Sequence, residues 1–242
     1  MKNNPRILLF CPVSNHKSYI IFDWLKHLKK LTYKNMDILL IDNSDNKIFA
    51  QRIAAEGFDC INIYMPHLPI REKMYLCYKT FREYFLENKY DYWFSLECDV
   101  FPPLNVVEHL LMLKSRVIGC PYFTFNHPMD QMLFTDYEYP FSNETTRFQN
   151  FFKEFQYFDG SVVQQFNTGI GCLLVHNSVL KKIAFGMPAK NHKIHNDTVF
   201  HGDLMKAGIP VFIDTSVICR HYNSDWNKIE KIDENKFKNI KK

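Results

Sequence analysis

The chain has 242 residues, of which 46% are hydrophobic and 23% are charged, and its formal net charge is +4. This length fits one α/β domain of ordinary upper size or two small ones, and the hydrophobic share supplies a full core, which excludes a disordered chain. The mild positive charge is compatible with an anionic substrate but does not require nucleic acid.

Strands and helices alternate along the first hundred residues. Strands are predicted over 6–12, 36–42, 60–64 and 92–99, and helices over 20–31, 47–56 and 70–85. The helices follow from apolar residues spaced three and four apart, and the strands from short apolar runs. This alternation requires crossover connections, so we predict an α/β domain with a mostly parallel central sheet flanked by helices.

The pattern loosens after Pro103. We predict helices over 106–113 and 196–208, strands over 116–122, 167–175, 209–214 and 217–221, and irregular structure over 123–160. Asn177 is predicted to cap a helix that follows the strand before it. Within the irregular segment, Phe148, Phe151, Phe152 and Phe155 form a one-sided aromatic stripe, which fits either core packing or a lid over an acceptor.

Two features bear on the cellular compartment. The apolar run near the N-terminus is too short for a signal peptide core or a membrane span. The chain carries scattered cysteines with no Cys-x-x-Cys pair, which indicates reduced, buried thiols. They are Cys11, Cys60, Cys77, Cys98, Cys120, Cys172 and Cys219. We therefore expect a soluble, cytoplasmic protein without a transmembrane segment.

Acidic side chains follow two of the predicted strands. Asp42 ends the strand 36–42, and Glu97 and Asp99 end the strand 92–99. In extended backbone, side chains two residues apart point the same way, so Glu97 and Asp99 would repel each other unless a cation lies between them. A divalent ion with oxygen ligands relieves that repulsion, and ligands of parallel sheets bind at the carboxyl ends of the strands.

With these pieces in order, the chain resembles the GT-A glycosyltransferases, most closely the family 2 type, from Arg6 to His221. The resemblance rests on an ordered set of short motifs, each of them weak alone. They are Cys11-Pro12-Val13, Ile41-Asp42-Asn43-Ser44, Leu96-Glu97-Cys98-Asp99 as a variant Asp-x-Asp motif, Thr168-Gly169-Ile170-Gly171, Asn196-Asp197-Thr198, Ala207-Gly208 and His221. The resemblance implies one GT-A domain over 1–227, followed by a basic tail over 228–242.

The resemblance also implies transfer of a sugar from a nucleoside-diphosphate sugar, with a UDP-sugar favoured, to an acceptor hydroxyl. Mn²⁺ or Mg²⁺ would bind Asp99, with His221 completing the metal shell. Asp197 would be the base that deprotonates the acceptor in an inverting reaction. The residues that would bind the donor are Pro12, Asp42, Asn43, Arg71, Glu97 and Gly169.

Several of these residues have simpler interpretations. Asn196 stands where the family usually has an acid, and Asn-Asp is also an ordinary helix N-cap pair. Capping its helix could therefore be the whole role of Asp197. Asp203 is a rival base, and His201, one turn beyond Asp197, could face the same cleft or be packed. His221 could be a core histidine.

Two donor-site residues also have plainer roles. Asp42 fits a turn as well as a binding site. Arg71 could reach the diphosphate, or could lie in solvent at the start of its helix.

Other functions stay open on the sequence. The same transfer could act on a hydroxymethylated base in DNA, as in phage-type DNA modification, although no dense Lys/Arg stripe interleaved with aromatic residues is visible. A nucleotide-binding protein without turnover is compatible with Asn196 and Glu97. A metal nuclease is disfavoured, because Phe101 stands where that class places a lysine.

Overall fold

The computed structural model describes residues 4–122, 160–165, 168–187 and 196–222. The strands in these ranges are β1 (Ile7–Val13), β2 (Met36–Asp42), β3 (Cys60–Asn62), β4 (Tyr92–Leu96), β5 (Val100–Phe101), β6 (Val117–Gly119), β7 (Val162–Gln165), β8 (Cys172–His176), β9 (Val211–Asp214) and β10 (Arg220–His221). The α-helices are α1 (Ile21–Leu28), α2 (Ile48–Ala55), α3 (Ile70–Glu87), α4 (Val106–Met112), α5 (Asn177–Leu180) and α6 (Asn196–Lys206).

The central sheet has eight strands in the order β3-β2-β1-β4-β8-β6-β9-β7, and β5 and β10 form a separate two-stranded ladder. Strands β3, β2, β1 and β4 are all parallel, β8 is antiparallel to both of its neighbours, and β7 is antiparallel to β9. The carboxyl ends of β2, β1 and β4 therefore lie side by side at one edge. The predicted α/β fold with a mostly parallel central sheet flanked by helices is confirmed, and the sheet is mixed because β8 and β7 are antiparallel to their neighbours.

Helices cover both faces of this sheet. Along β1, Ile7 and Leu9 contact the core under α1, α2 and α4, whereas Leu8 and Phe10 contact the core under α3, α5 and α6. All four side chains are at most 1% exposed, as expected for a parallel strand buried on both faces. Burying a side chain of this size contributes roughly 1.5–3 kcal/mol, so β1 is a rigid base for the loops that follow it.

The predicted strand 92–99 is shorter in the structure, because β4 ends at Leu96. The Val100 N–H donates to the Glu97 carbonyl at 3.0 Å and closes a turn over residues 97–100. Glu97 and Asp99 thus lie in a turn, and the expected strand alternation is not what brings their side chains together. The two-residue strand β5 follows directly and was not predicted.

The predicted cap of α5 is wrong by one residue. His176 holds the N-cap position, and its Nδ1 accepts a hydrogen bond from the Ser178 N–H at 3.3 Å. Asn177 is already helical, and its side-chain amide donates to the Tyr90 carbonyl at 3.2 Å. The chain therefore enters the helix one residue earlier than the Asn177 prediction assumed.

Two predicted features lie outside the described residues: the phenylalanine stripe over 148–155 and the basic tail over 228–242. Among the helices of the described ranges, none combines the length and the apolar character needed to cross a membrane.

Candidate functional site

Three potential metal ligands converge at the carboxyl end of β4. One ligand atom from each of Glu97, Asp99 and His221 lies within 4.8 Å of the other two. The ladder of β5 and β10 brings them together: His221 pairs with Val100, and the Tyr222 N–H donates to the Asp99 carbonyl at 2.7 Å. The His221 Nε2 lies 3.4 Å from Asp99 Oδ2. Of the predicted site residues, these three are the ones that the fold gathers into one cluster.

A lysine that sequence analysis did not single out enters this cluster. The Lys17 ammonium forms an ion pair with Asp99 Oδ2, and the Asp99 side chain is only 3% exposed, whereas that of Lys17 is 38% exposed. Lys17 ends a short 3₁₀ helix directly after β1. The signal in the sequence was limited to its place in a polar loop after the first predicted strand.

The two carboxyl groups have opposite pKa shifts. Burial, with the nearby charges of Asp99 and Asp197, raises the pKa of Glu97 to about 7. Burial would also raise the pKa of Asp99, but the hydrogen bond from His221 and the charges of His221 and Lys17 outweigh it and hold that pKa below its ordinary value. Asp99 is therefore ionised at neutral pH, whereas Glu97, with a pKa of about 7, is only partly ionised there. A positive charge placed beside Glu97 would favour its ionised form.

A glycine and a tyrosine hold this cluster in place. The Gly171 carbonyl accepts from the Glu97 N–H at 3.0 Å, and the Gly171 N–H donates to the Tyr122 hydroxyl at 3.0 Å. A Cβ at position 171 would lie 2.5 Å from that hydroxyl oxygen, so a side chain does not fit. The Tyr122 ring in turn meets the His221 ring edge-on, at 5.4 Å between centroids.

Gly169, the first glycine of the same Gly-x-Gly motif, is the one that we predicted to bind the donor. It has a φ of +65°, a conformation that favours glycine. At the second glycine of the motif, Gly171, the close approach is to the Tyr122 ring. The role of Gly169 toward a donor stays a prediction.

The predicted donor residues after β1 and β2 lie at the same edge of the sheet. Asp42 is fully buried, and its two carboxylate oxygens accept from the Ser44 N–H at 2.9 Å and the Asn62 side-chain amide at 2.8 Å. The Asn43 N–H donates to the Val13 carbonyl at 3.0 Å. Both residues thus shape the turn after β2, whatever else they bind.

The remaining two donor residues flank that edge. Pro12 lies in β1 opposite Ile41, one position before the strand ends. Arg71 is half-buried in the first turn of α3. Their roles toward a donor stay predictions.

Asp197 lies in the first turn of α6. Its Oδ1 accepts hydrogen bonds from the Thr198 N–H at 2.7 Å and the Thr198 hydroxyl at 3.3 Å. Its charge contributes to the raised pKa of Glu97, so Asp197 is near enough to act on the acidic cluster electrostatically. A carboxylate there can accept a proton from a hydroxyl group placed between α6 and β4.

The two neighbouring candidates on α6 differ in environment. His201 is 2% exposed, its Nδ1 contacts the Asp197 carbonyl at 2.9 Å, and burial lowers its pKa, so it is a neutral, packed histidine. Asp203 Oδ1 lies 3.4 Å from the Lys206 ammonium in the same helix. Neither interaction involves the acidic cluster.

The chemistry of the cluster fits a divalent cation. Two carboxylates and one imidazole are ligands that Mn²⁺ accepts, and Mg²⁺ takes carboxylate oxygens. Burial is the main cause of the raised pKa of Glu97, and the negative charges of Asp99 and Asp197 add to it, so part of the shift reflects negative charge in this place. A cation bound by Glu97, Asp99 and His221 would neutralise that charge, and Lys17 neutralises part of it in the structure.

No protein-family model and no curated protein sequence matches the chain. Solved structures do match it. The mannosyltransferase PcManGT from Pyrobaculum calidifontis, in complex with GDP-Man and Mn²⁺, superposes with a TM-score of 0.55 at 12% identity over 90% of this chain and 57% of that one. TarS 1–349 from S. aureus superposes with a TM-score of 0.54 at 11% identity over 88% of this chain and 60% of that one.

These two matches bear on the fold. At 11–12% identity they show that the chain has the GT-A fold of nucleotide-sugar glycosyltransferases, as the sequence motifs predicted. The chain spans about 57–60% of the length of those two proteins.

Proposed function

We propose that the protein is a metal-dependent glycosyltransferase that moves a sugar from a nucleoside-diphosphate sugar to an acceptor hydroxyl. One observation carries the proposal: within a GT-A fold, ligand atoms of Glu97, Asp99 and His221 lie within 4.8 Å of one another at the carboxyl end of a central strand. This is the edge where α/β folds bind nucleotides. The proposal assigns the chemistry to one domain spanning residues 1–227.

Asp99 and His221 would hold the cation, with Glu97 as a further ligand or as a contact to the donor ribose. The cation, Mn²⁺ or Mg²⁺, supplies Lewis-acid stabilisation of the leaving diphosphate. Asp99 is suited to this role because it is ionised and its position is fixed by backbone and side-chain hydrogen bonds. The Lys17 ammonium, already at Asp99, is placed to neutralise phosphate oxygens beside the cation.

The acceptor hydroxyl must lose a proton as it attacks the sugar. Asp197 would take that proton in an inverting reaction, since it is the carboxylate in the first turn of α6 and its charge reaches Glu97. The attack then needs no covalent intermediate on the protein. Asn196 next to it departs from the acid that the family usually has, so the base must be tested directly.

The donor base would lie near the turn after β2, where Pro12, Asp42 and Asn43 meet. Family resemblance favours a uridine donor through Asp42, whereas the matched mannosyltransferase was solved with GDP-Man. The Asp42 carboxylate already accepts hydrogen bonds from Ser44 and Asn62, so a nucleobase would share this carboxylate or bind the surrounding turn. Arg71 and Gly169 would contact the diphosphate.

The experiment is a thermal-shift screen of the full chain against UDP-, GDP-, CDP- and ADP-sugars, each with and without Mn²⁺. A ligand that binds only the folded state raises the melting temperature. We expect a rise for one nucleotide family that requires Mn²⁺, followed by Mn²⁺-dependent hydrolysis of that donor. Binding without hydrolysis or transfer would identify a nucleotide-binding protein without turnover, and the absence of any shift would contradict the proposal.

A further inference from the structure

Three cysteines that are far apart in the sequence meet behind the acidic cluster. Cys120 directly follows β6, Cys172 begins β8 and Cys219 directly precedes β10. Their sulphur atoms all lie within 4.8 Å of one another. The three side chains thus point at one common position rather than at separate neighbours.

The backbone fixes this convergence. The Cys120 N–H donates to the Cys172 carbonyl at 3.0 Å, and the Cys219 N–H donates to the Pro121 carbonyl at 2.9 Å. Each of the three residues is at most 2% exposed. The site is therefore preorganised by the main chain and shielded from solvent, which protects thiolate ligands from oxidation.

From this geometry we propose that Cys120, Cys172 and Cys219 bind one soft metal ion, Zn²⁺ or Cu⁺. Thiolate ligands select these ions, and a Zn–S bond is about 2.3 Å long, which places sulphurs about 3.8–4.0 Å apart in a tetrahedral or trigonal site. Sulphur atoms that lie within 4.8 Å of one another are already close to that spacing. A buried ion of this kind is acquired as the chain folds, so an open entry path is not required.

The proposed thiolate site differs in chemistry from the acidic cluster. Glu97, Asp99 and His221 offer hard oxygen ligands and one imidazole, which suit Mn²⁺ and Mg²⁺, whereas three sulphurs disfavour both of those ions. The two sites are nonetheless neighbours, because His221 lies two residues beyond Cys219 and the Gly171 carbonyl next to Cys172 accepts from Glu97. A thiolate-bound ion would join the segments that position His221 and Glu97.

The test uses the full chain, reduced, denatured and refolded with one equivalent of Zn²⁺, and in parallel with Cu⁺. Metal analysis after gel filtration should give about one ion per chain, and X-ray absorption at the metal edge should show three sulphur ligands, at about 2.3 Å for zinc. Cys172→Ser should weaken binding at least about 100-fold, by more than the loss of an outer-shell partner does. Cys77→Ser, at an equally buried cysteine outside the cluster, should leave it unchanged.

A second control separates the two metal sites. Asp99→Ala should keep the sulphur-bound ion while abolishing Mn²⁺ binding, so failure of the proposed transferase activity does not affect this test. A coordination shell of nitrogen and oxygen, no retained ion, or a disulfide between two of the three cysteines in the untreated protein would overturn the proposal. If Cys172→Ser does not fold, the absorption spectrum of the unaltered protein decides alone.

Discussion

In the proposed site, Lys17 and a divalent cation would compete for the Asp99 carboxylate, so replacing Lys17 should strengthen metal binding. The Lys17 ammonium contacts Asp99 Oδ2, and both charges must be rearranged when a cation binds Asp99. Two unit charges about 4 Å apart attract by roughly 4 kcal/mol at an effective dielectric of 20. Because the Lys17 side chain is 38% exposed, solvent screening reduces the net value to about 1–2 kcal/mol.

That energy sets the size of the expected change. In Lys17→Met, the Mn²⁺ affinity in the absence of nucleotide should rise about 5- to 30-fold, because the cation no longer displaces an ion pair. Isothermal titration calorimetry with Mn²⁺, checked by the electron paramagnetic resonance signal of free Mn²⁺, measures it. Lys26→Met is the matched control, since Lys26 pairs with Asp23 at 3.0 Å on the surface and should have no effect. Unchanged or weaker Mn²⁺ binding in Lys17→Met would refute the competition.

The other predictions concern the same edge of the sheet. Asp99→Ala should abolish Mn²⁺-dependent nucleotide binding, and equal nucleotide affinity with and without Mn²⁺ in the unaltered protein would contradict the metal role. Asp197→Asn should leave donor binding intact in calorimetry yet reduce transfer by at least about 100-fold, as expected for a lost general base; near-normal transfer would place the base elsewhere. Gly171→Ala should lower the free energy of unfolding by about 1–3 kcal/mol, because the new methyl group overlaps the Tyr122 ring; an unchanged urea midpoint would show that the ring moves freely.

Glu97, in the same acidic cluster, should make the stability of the metal-free protein depend on pH. Because its pKa is raised to about 7, the folded state binds more protons than the unfolded state between the ordinary glutamate pKa and pH 7. The free energy of unfolding without metal should therefore fall as the pH rises through that window. Glu97→Gln should remove this slope in urea unfolding, while an exposed control, Glu83→Gln, should keep it; a slope that survives in Glu97→Gln would assign it to another group.

The sequence predicted the sheet and its acidic edge well. The strand Met36–Asp42 has the predicted bounds, and the helix that begins at Ile70 runs two residues beyond the predicted Phe85. Local patterns were sufficient here, because an apolar run bounded by turn residues and an amphipathic spacing each specify one element. Glu97 and Asp99 could be singled out because acids follow a buried strand, and His221 because the order of the motifs resembles that of the GT-A glycosyltransferases.

The sequence did not indicate how those residues meet. The ladder of β5 and β10 pairs two strands of only two residues each and places His221 beside Asp99. The strand predicted over 217–221 includes β10, but no pattern indicated β5 or its pairing with β10. The contact of Lys17 with Asp99 depends on the position of β1 between β2 and β4. Neither fact is encoded in any local window of the sequence.

Local patterns alone determined the α/β class and the choice of the acids at the strand ends, because hydrophobic periodicity and turn chemistry act over a few neighbouring positions. The GT-A fold was predicted from the resemblance of the ordered motifs to a known family. The tertiary structure decided which charges share a site and how they alter one another's pKa, since burial and distance arise only when distant segments pack together. It also decided that Cys120, Cys172 and Cys219, which appear scattered along the chain, lie within 4.8 Å of one another.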